Sequence, residues 1–280
     1  MTTARCLCGD VTWELEGPLR GMRHCHCSRC RKAHGSAYAT YVGGPSRTFR
    51  LLGEQEVVAW ESTPGFFRRF CGRCGSVVPS VPVGDLAFVP AGNFDVDPGA
   101  RPEMHLFVGS KAPWFELTDQ LPRFDTFPAD INGPIVPSSA SLEPSEAARG
   151  SCLCGGVAFV VRGEAVRCWN CHCTRCQRSR SAAFATNLVT KDDGVEFTRG
   201  ADLVSEYKVP DARHYRHAFC RLCGSSAPRI DRARGMALVP MGSMDDDAGI
   251  RPTAHIFAGA KAPWDALTDA LPRYDEYPPR

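Results

Sequence analysis

The segment FCGRCGS at 70–76 recurs, with two substitutions, as FCRLCGS at 219–225. Each is a C-x-x-C-G turn, in which two thiols close on one metal ion and the glycine relieves the backbone where the loop folds back. A C-x-C-x-x-C pattern stands upstream of each turn, as HCHCSRC at 24–30 and NCHCTRC at 170–176. A C-x-C pattern followed by glycine precedes both, at Cys6 and Cys8 and at Cys152 and Cys154. The repetition indicates two copies of one metal-binding unit.

The spacing of the cysteines indicates a tandem duplication. The first five cysteines of the two sets are 146 residues apart and the last two are 149 apart, so a short insertion lies between Cys176 and Cys220. The segments 101–125 and 251–275 are identical at 16 of 25 positions. The stretch between the copies is rich in Pro and Ser, which is typical of a semi-extended linker. We therefore predict a first domain at 1–127, a linker at 128–149 and a second domain at 150–280.

Length and composition are those of an ordinary globular protein. The 280 residues suffice for two domains, and a hydrophobic content of 43% lets each bury a core. The formal net charge is +2, so no chain-wide field would attract nucleic acid or anionic lipid. No run of about 18 apolar residues occurs, and the N-terminus has no apolar segment typical of a signal peptide. We expect a cytoplasmic protein without a nucleic-acid or membrane partner.

The local patterns predict a mainly β fold. In VTWELEG, the apolar residues Val11, Trp13 and Leu15 alternate with polar ones, and a similar β-prone stretch follows Val157. The chain contains 26 glycines and 22 prolines, which break up long helices. Short helical turns are expected only around 28–34 and around 114–117.

The chain has 15 cysteines, which the cytoplasm would keep reduced, so metal thiolates are the leading interpretation. Residues two apart on an extended strand face the same side, so both thiols of a C-x-C pair can reach one ion. Together with a C-x-x-C turn they supply four thiolates, which indicates a closed, structural zinc site; four-thiolate iron is the alternative. The predicted ligands are Cys6, Cys8, Cys71 and Cys74 in the first copy and Cys152, Cys154, Cys220 and Cys223 in the second.

The remaining cysteines form sets of three, which leave one tetrahedral position open, as in catalytic zinc sites. Closure by His24 or His26 is an alternative, but on an extended segment both face away from the cysteines, and Asn170 replaces His24 in the second copy. A redox role, with a disulfide formed when metal is absent, is another. The predicted catalytic ligands are Cys25, Cys27 and Cys30 in the first copy and Cys171, Cys173 and Cys176 in the second.

These patterns, with a later R-P, His and K-A-P-W, resemble the glutathione-dependent formaldehyde-activating enzyme family, also called the CENP-V/GFA domain. The resemblance covers 4–125 and 150–277. It implies two tandem Mss4-like β-tent domains, each a small sandwich of antiparallel sheets, with a structural and a catalytic zinc in each, or four per chain. The activity implied is a carbon–sulfur lyase reaction run in its synthetic direction, in which glutathione and formaldehyde form S-hydroxymethylglutathione.

A glutathione site needs cations for two carboxylates, and the arginine fork matches their geometry. Any of these arginines is also a candidate for an ordinary solvated surface group. The candidates nearest the cysteine motifs are Arg29, Arg31, Arg68, Arg175, Arg178 and Arg216.

The shared HxFxGxKAPW segment carries His105 and Lys111 in the first copy and His255 and Lys261 in the second. A functional interpretation makes the histidine a proton shuttle and Trp114 or Trp264 a pocket wall. A core histidine with its hydrogen bonds satisfied and a core indole is the interpretation we favour, because Trp buries a large apolar area. Cys168 aligns with Met22 and is expected to be a small buried hydrophobe.

Three functions remain open on the sequence. A glutathione-dependent enzyme binds glutathione and turns over an aldehyde, a glutathione carrier binds without turnover, and a zinc-stabilised interaction module does neither. A chromatin-associated module is disfavoured because no basic stripe is present.

Overall fold

The computed structural model describes residues 1–129, 131 and 147–279. Most of the linker predicted at 128–149 therefore lies outside the described residues. A strand begins at Ala148, two residues before the predicted start of the second domain. The domain boundaries remain a prediction.

The described part of the first copy consists of short strands and one α-helix, α1. The strands are β1 (Thr2–Arg5), β2 (Thr12–Leu15), β3 (Arg20–Cys25), β4 (Ala39–Pro45), β5 (Arg50–Leu52), β6 (Val57–Thr63), β7 (Phe66–Cys71), β8 (Val77–Val78), β9 (Leu86–Pro90), β10 (Pro102–Leu106) and β11 (Arg123–Phe124), with α1 (Ser28–His34) between β3 and β4.

The described part of the second copy repeats this order, again with one α-helix, α2. The strands are β12 (Ala148–Ser151), β13 (Ala158–Val161), β14 (Arg167–Cys171), β15 (Ala185–Thr190), β16 (Val195–Arg199), β17 (Val204–Lys208), β18 (Arg216–Cys220), β19 (Arg229–Asp231), β20 (Met236–Pro240), β21 (His255–Ile256) and β22 (Arg273–Tyr274), with α2 (Thr174–Arg180) between β14 and β15.

Each copy has one large sheet that carries its three-cysteine segment. The large sheets have the strand orders β11-β10-β3-β4-β9 and β19-β20-β15-β14-β21-β22. The smaller sheets are β1-β2-β5 and β6-β7-β8 in the first copy and β12-β13-β16 and β17-β18 in the second. The expectation of purely antiparallel sheets is wrong, because β10 runs parallel to β3 and β21 runs parallel to β14. The chain returns to β3 from 77 residues away, and such a long connection allows a parallel pairing.

The predictions of strand β2 and helix α1 are confirmed, the first from side-chain alternation and the second with a capped N-terminus. Trp13 and Leu15 on β2 are fully buried, as their alternation predicts. The helix predicted at 28–34 is α1, and the Sγ atom of Cys27 accepts a hydrogen bond from the Cys30 amide at 3.4 Å as its N-cap. Gly35 ends α1 at φ 59°, a left-handed conformation that glycine adopts without strain. The segment 114–117 contains no helix.

The two copies pack against each other through reciprocal contacts. The helix α1 contacts the 3-10 turn Met241–Ser243 of the second copy, and α2 contacts the turn Ala91–Asn93 of the first. At both crossings only a glycine fits, because a Cβ on Gly92 or Gly242 would overlap backbone atoms of the other copy. Two ion pairs cross the interface at aligned positions, Lys32 with Asp245 and Arg178 with Asp95.

Several pairs of aligned residues meet between the copies, which places them about a pseudo-twofold axis. The rings of Phe70 and Phe219 lie 6.4 Å apart, and the hydroxyls of Thr118 and Thr268 share a hydrogen bond. One hydrophobic cluster contains buried residues of both copies. The predicted class, a mainly β fold with two tandem units of the β-tent type, is confirmed. Among the described residues, no helix has the length and apolar character that crossing a membrane requires.

Candidate metal centres and ligand cavity

The eight predicted structural cysteines lie in two clusters of four. In each cluster the four Sγ atoms are within 4.8 Å of one another. The Sγ atoms of Cys6 and Cys8 are 3.3 Å apart, those of Cys8 and Cys71 are 3.6 Å apart, and those of Cys154 and Cys220 are 3.8 Å apart. Tetrahedral zinc with bonds of about 2.3 Å to sulfur separates its ligands by about 3.8 Å. The donor set and its spacing therefore fit one zinc ion per cluster, with all four positions filled by thiolates.

The backbone around these clusters supports thiolates. The amide of Val11 donates to Cys6 Sγ at 3.4 Å, and the amide of Val157 donates to Cys152 Sγ at 3.2 Å. Gly75, which follows the C-x-x-C turn, has φ 75°, the left-handed conformation that the sequence pattern predicts. Its amide donates to the carbonyl of Cys71 at 2.8 Å and closes the turn.

The six predicted catalytic cysteines lie in two clusters of three, again with their Sγ atoms within 4.8 Å of one another. Among the described residues, no fourth Cys, His, Asp or Glu joins either set. Each cluster spans the end of a strand and the first turn of a helix, where Cys27 and Cys173 serve as the N-caps. Three thiols at this spacing fit a zinc ion with one position left for a ligand. Hydrogen bonding to Cys27 and Cys30 raises the pKa of Cys25 well above its ordinary value, and a bound divalent cation would oppose that rise.

The histidines next to the cysteines in the sequence, His24 and His26, point away from the sulfurs. His24 Nδ1 is 2.8 Å from Thr40 Oγ1. His26 Nε2 donates to His105 Nδ1 at 2.9 Å, and His105 Nε2 donates to the carboxylate of Asp119 at 2.9 Å. Neither His24 nor His26 closes the cluster, as the strand geometry predicts.

The second copy repeats this hydrogen-bonded chain. His172 Nε2 donates to His255 Nδ1 at 2.7 Å, and His255 Nε2 donates to Asp269 at 3.0 Å. Burial lowers the pKa of His172 to about 3, so its ring is neutral at pH 7. Two imidazole rings and a carboxylate thus brace the cysteine segment from behind in each copy.

The two three-cysteine clusters differ in the group that contacts their third thiol. In the first copy, Arg68 Nη2 donates to Cys30 Sγ at 3.7 Å, and Cys30 raises the pKa of Arg68 despite its burial. In the second copy the contact comes from a neutral group, because the hydroxyl of Tyr215 donates to Cys176 Sγ at 3.7 Å. The same hydroxyl is 2.8 Å from Ser179 Oγ.

The second copy's cluster opens into a cavity of about 620 Å³. The cavity wall contains Cys171, Cys173 and Cys176, together with Tyr215 and apolar side chains such as Trp169. No Asp or Glu is found among the described residues that line it. A concave surface with many cations and no acid favours an anionic ligand. Its arginines are Arg167, Arg175, Arg180, Arg213, Arg216, Arg229 and Arg234.

Comparison with known proteins gives the family. The family model described as glutathione-dependent formaldehyde-activating enzyme matches residues 1–110 and 147–260, so it covers most of both copies. The chain belongs to this family. A search of curated proteins found no match. Among solved structures, a Rhodobacter sphaeroides protein is similar, with 25% sequence identity and a TM-score of 0.30, over 37% of this chain and 91% of that one.

In this member of the glutathione-dependent formaldehyde-activating enzyme family, the structure places the six arginines predicted to bind glutathione in different surroundings. Arg175 and Arg216 line the cavity of the second copy. Arg216 also pairs with Glu206 at 3.4 Å. The other four are engaged elsewhere or buried. Arg29 donates to Thr63 at 2.6 Å, Arg31 is buried, Arg68 contacts Cys30, and Arg178 pairs with Asp95 across the interface at 2.7 Å.

The HxFxGxKAPW segment of this family member has the core geometry that we favoured. His105, His255, Trp114 and Trp264 are all buried, and both tryptophans belong to the main hydrophobic cluster. Lys111 and Lys261 donate to the backbone carbonyls of Phe115 and Asp265 at 2.5 and 2.8 Å. Cys168 is also buried, as expected from its alignment with Met22.

Sequence reasoning missed Arg180 and Tyr215. Both lie outside the cysteine motifs, and their first-copy counterparts, His34 and Phe66, are different residue types. The signal that would have found them is this difference at aligned positions, since the rest of the metal frame is the same in both copies.

Proposed function

We propose that the chain is a zinc-dependent glutathione- and aldehyde-processing protein of the carbon–sulfur lyase type, acting in the cytoplasm. Its reaction joins glutathione to formaldehyde, or a related aldehyde, as S-hydroxymethylglutathione. The catalytic metal is held by a three-cysteine cluster, and the four-cysteine clusters are structural. The observation that supports this proposal best is the cavity of about 620 Å³, whose described lining contains a three-cysteine cluster and seven arginines and no acidic residue.

The size and charge of the cavity suit glutathione. A tripeptide thiol with two carboxylates needs several cations around a reaction centre that accepts sulfur. Arg175 on α2 belongs to the cavity wall and is a candidate to bind one of these carboxylates; Arg216 on β18 lines the same wall and also pairs with Glu206. Trp169 and Tyr277 add aromatic surface to the same wall. A cavity of this size encloses a ligand of that class.

The reaction is an addition in which no atom is lost. The glutathione thiol gives up its proton, its sulfur forms a bond to the aldehyde carbon, and the carbonyl oxygen gains a proton. Bound zinc supplies positive charge that lowers the pKa of a thiol. The chain itself binds the carboxylates through arginines of the cavity wall. It also places the Tyr215 hydroxyl beside Cys176, where its single proton can turn from the Cys176 sulfur to the aldehyde oxygen.

Calorimetry with glutathione and S-methylglutathione tests whether glutathione binds through its sulfur. We expect glutathione to bind much more tightly, because the methyl thioether has no proton to lose and cannot become a thiolate. Equal affinities would exclude coordination through sulfur.

Exchange spectroscopy by NMR on mixtures of glutathione and formaldehyde tests turnover. The protein should accelerate adduct formation over the uncatalysed rate, and Cys173→Ser should abolish that acceleration while the four-cysteine zinc ions remain bound. Tight binding without acceleration would identify a carrier, and failure to bind glutathione would favour an interaction module.

A further inference from the structure

The two copies differ in where they place a buried cation. At the last residue of the helix, the first copy has His34 and the second has Arg180. On the strand that enters the C-x-x-C turn, the first copy has Arg68 and the second has His217. Histidine and arginine have therefore exchanged places between two aligned positions.

In the first copy, the histidine is hydrogen-bonded at both ring nitrogens and the arginine has a thiol partner, although the buried Nε of Arg68 has no hydrogen-bond partner in the described part of the chain. Arg68 donates a hydrogen bond to Cys30 Sγ, so its positive charge already lies next to the sulfur of that cysteine. His34 Nδ1 donates to the carbonyl of Arg180 at 2.7 Å, and His34 Nε2 accepts from the hydroxyl of Tyr41 at 2.9 Å. The first copy thus supplies the counter-charge for its own cluster.

In the second copy, the histidine is hydrogen-bonded at both ring nitrogens, whereas the arginine has neither a thiol nor an acidic partner among the described residues. His217 Nδ1 donates to the carbonyl of Cys74 at 2.8 Å, and His217 Nε2 accepts from Ser226 Oγ at 3.1 Å, so this ring turns towards the interface. Arg180 is 8% exposed and belongs to the cavity wall. Its Nη2 donates to Asn187 Oδ1 at 3.1 Å, but its buried Nη1 has no hydrogen-bond partner in the described part of the chain.

An unpaired buried guanidinium is costly to the fold. Burial lowers the pKa of Arg180, and no Asp or Glu among the described residues of the cavity wall compensates its charge. Gly35 of the first copy packs against the Arg180 guanidinium. A Cβ on Gly35 would lie only 2.7 Å from Nη1, so this position has room for a glycine alone. The cost is offset when an anion enters the cavity, because a carboxylate accepts charge-assisted hydrogen bonds from a guanidinium.

We propose that only the three-cysteine site of the second copy binds an anionic thiol, and that Arg180 binds a carboxylate of that thiol. This inference rests on the proposed function and names which of the two sites performs it. The three-cysteine site of the first copy does not take an anionic thiol, because His34 stands where the second copy has Arg180 and both of its ring nitrogens are already hydrogen-bonded, so no guanidinium is available there for the carboxylate.

Calorimetric titration of the zinc-loaded chain with glutathione tests the stoichiometry. We expect one glutathione per chain, and Cys176→Ser should abolish binding. Two glutathiones per chain in the wild type, or one remaining in Cys176→Ser, would overturn the assignment to a single site.

The role of Arg180 is tested with Arg180→Gln and two thiols, glutathione and the uncharged 2-mercaptoethanol. Glutathione affinity should fall by roughly 10- to 100-fold, the usual effect of losing a hydrogen bond to a charged group, whereas 2-mercaptoethanol should bind as before. The exposed Arg199→Gln is the matched control and should change neither affinity. An equal loss for both thiols would mean that Arg180 acts on the metal site or the fold, and would overturn its role as a carboxylate ligand.

Zinc content and thermal stability of each variant show whether it is folded. If Arg180→Gln does not fold, Asn187→Ala is the second test, because it removes the acceptor that orients Nη2 and leaves the charge in place. It should weaken glutathione binding several-fold and leave 2-mercaptoethanol unaffected; unchanged glutathione affinity would count against the proposal. A wild type that binds no glutathione at all would instead refute the proposed function.

Discussion

The Tyr215 hydroxyl lies 3.7 Å from Cys176 Sγ, and the aligned residue of the first copy, Phe66, has no hydroxyl. Burial raises the pKa of Tyr215, so the group keeps its proton at neutral pH and can donate it in a hydrogen bond. We predict that Tyr215→Phe retains the zinc of a full chain and slows addition of glutathione to formaldehyde by about 10-fold, the effect of losing one hydrogen bond of roughly 1.4 kcal/mol.

The rate is measured by NMR exchange and the zinc by metal analysis. Tyr274→Phe, on β22 and outside the cavity, is the matched control and should react at the wild-type rate. A Tyr215→Phe rate equal to that of the control would remove Tyr215 from the chemistry.

His34 makes the interface between the copies sensitive to acid. Burial lowers its pKa from 6.5 to about 4, so the unfolded chain binds a proton in a pH range where the folded chain does not. The stability that His34 contributes is therefore complete above about pH 6.5 and is lost as the pH falls towards 4. Between pH 7 and pH 5 we expect a loss of about 2 kcal/mol from this residue.

Urea unfolding at the two pH values measures that loss. Other groups, the zinc thiolates among them, also respond to acid, so the comparison is made with His34→Gln, which cannot titrate. The wild type should lose about 2 kcal/mol more than the variant over this interval. Equal losses would show that His34 is charged in the folded protein or exposed to solvent.

At the scale of elements, the two kinds of metal site connect different lengths of chain. A four-cysteine cluster joins the turn after β1 to the end of β7 and so ties two sheets together. A three-cysteine cluster joins only the end of β3 to the first turn of α1. Loss of the first ion releases a long loop, and loss of the second releases a short one.

We predict that the wild type holds four zinc ions and that the two kinds of site respond differently to a lost thiol. Cys71→Ser should unfold the first copy, because a structural zinc contributes on the order of 10 kcal/mol to folding. Cys30→Ser should remain folded with three zinc ions. Metal analysis and limited proteolysis measure both outcomes, with Cys220→Ser and Cys176→Ser as the equivalent pair in the second copy. Equal unfolding by Cys71→Ser and Cys30→Ser would make both sites structural.

The elements also show how far the sequence determines the site. The metal clusters follow from cysteine spacing, because ligands two and three residues apart meet whenever the strand and helix turn form. The parallel pairing of β10 with β3 does not follow, since it depends on a long connection. The cavity arginines were mostly missed for the same reason: they come from β14, α2, β18, β19 and the loops between them, and no local pattern joins residues spread over 167–234.

At the scale of the whole molecule, the pseudo-twofold packing explains why two similar copies have come to differ. Arg180 is buried by contact with Gly35 of the other copy, and the carbonyl of Arg180 is the acceptor for His34. Each copy therefore supports the end of the helix that follows the other's three-cysteine segment. A substitution at the end of one helix therefore also changes the contacts of the other copy's helix. For this reason the two three-cysteine sites can diverge only through substitutions that both copies accommodate.

The backbones of the two copies approach each other closely at Gly92 and Gly242, and this contact supplies the last prediction. A Cβ at Gly92 would overlap the backbone of Ala182, and one at Gly242 would overlap the backbone of Ser36. Backbone atoms cannot move aside as the end of a flexible side chain can, so the interface has to open. We expect Gly92→Ala and Gly242→Ala each to lower the unfolding free energy by more than about 2 kcal/mol.

Urea unfolding and small-angle scattering measure the effect of these two variants. The wild type should unfold in one transition, because a single hydrophobic cluster spans both copies, and each variant should show a larger radius of gyration or two separate transitions. Gly109→Ala is the matched control, because its Cβ would only approach Asp125 at 3.5 Å. If Gly92→Ala and Gly242→Ala were as stable and compact as Gly109→Ala, the copies would not be held together at these crossings, and Arg180 would lose the contact that buries it.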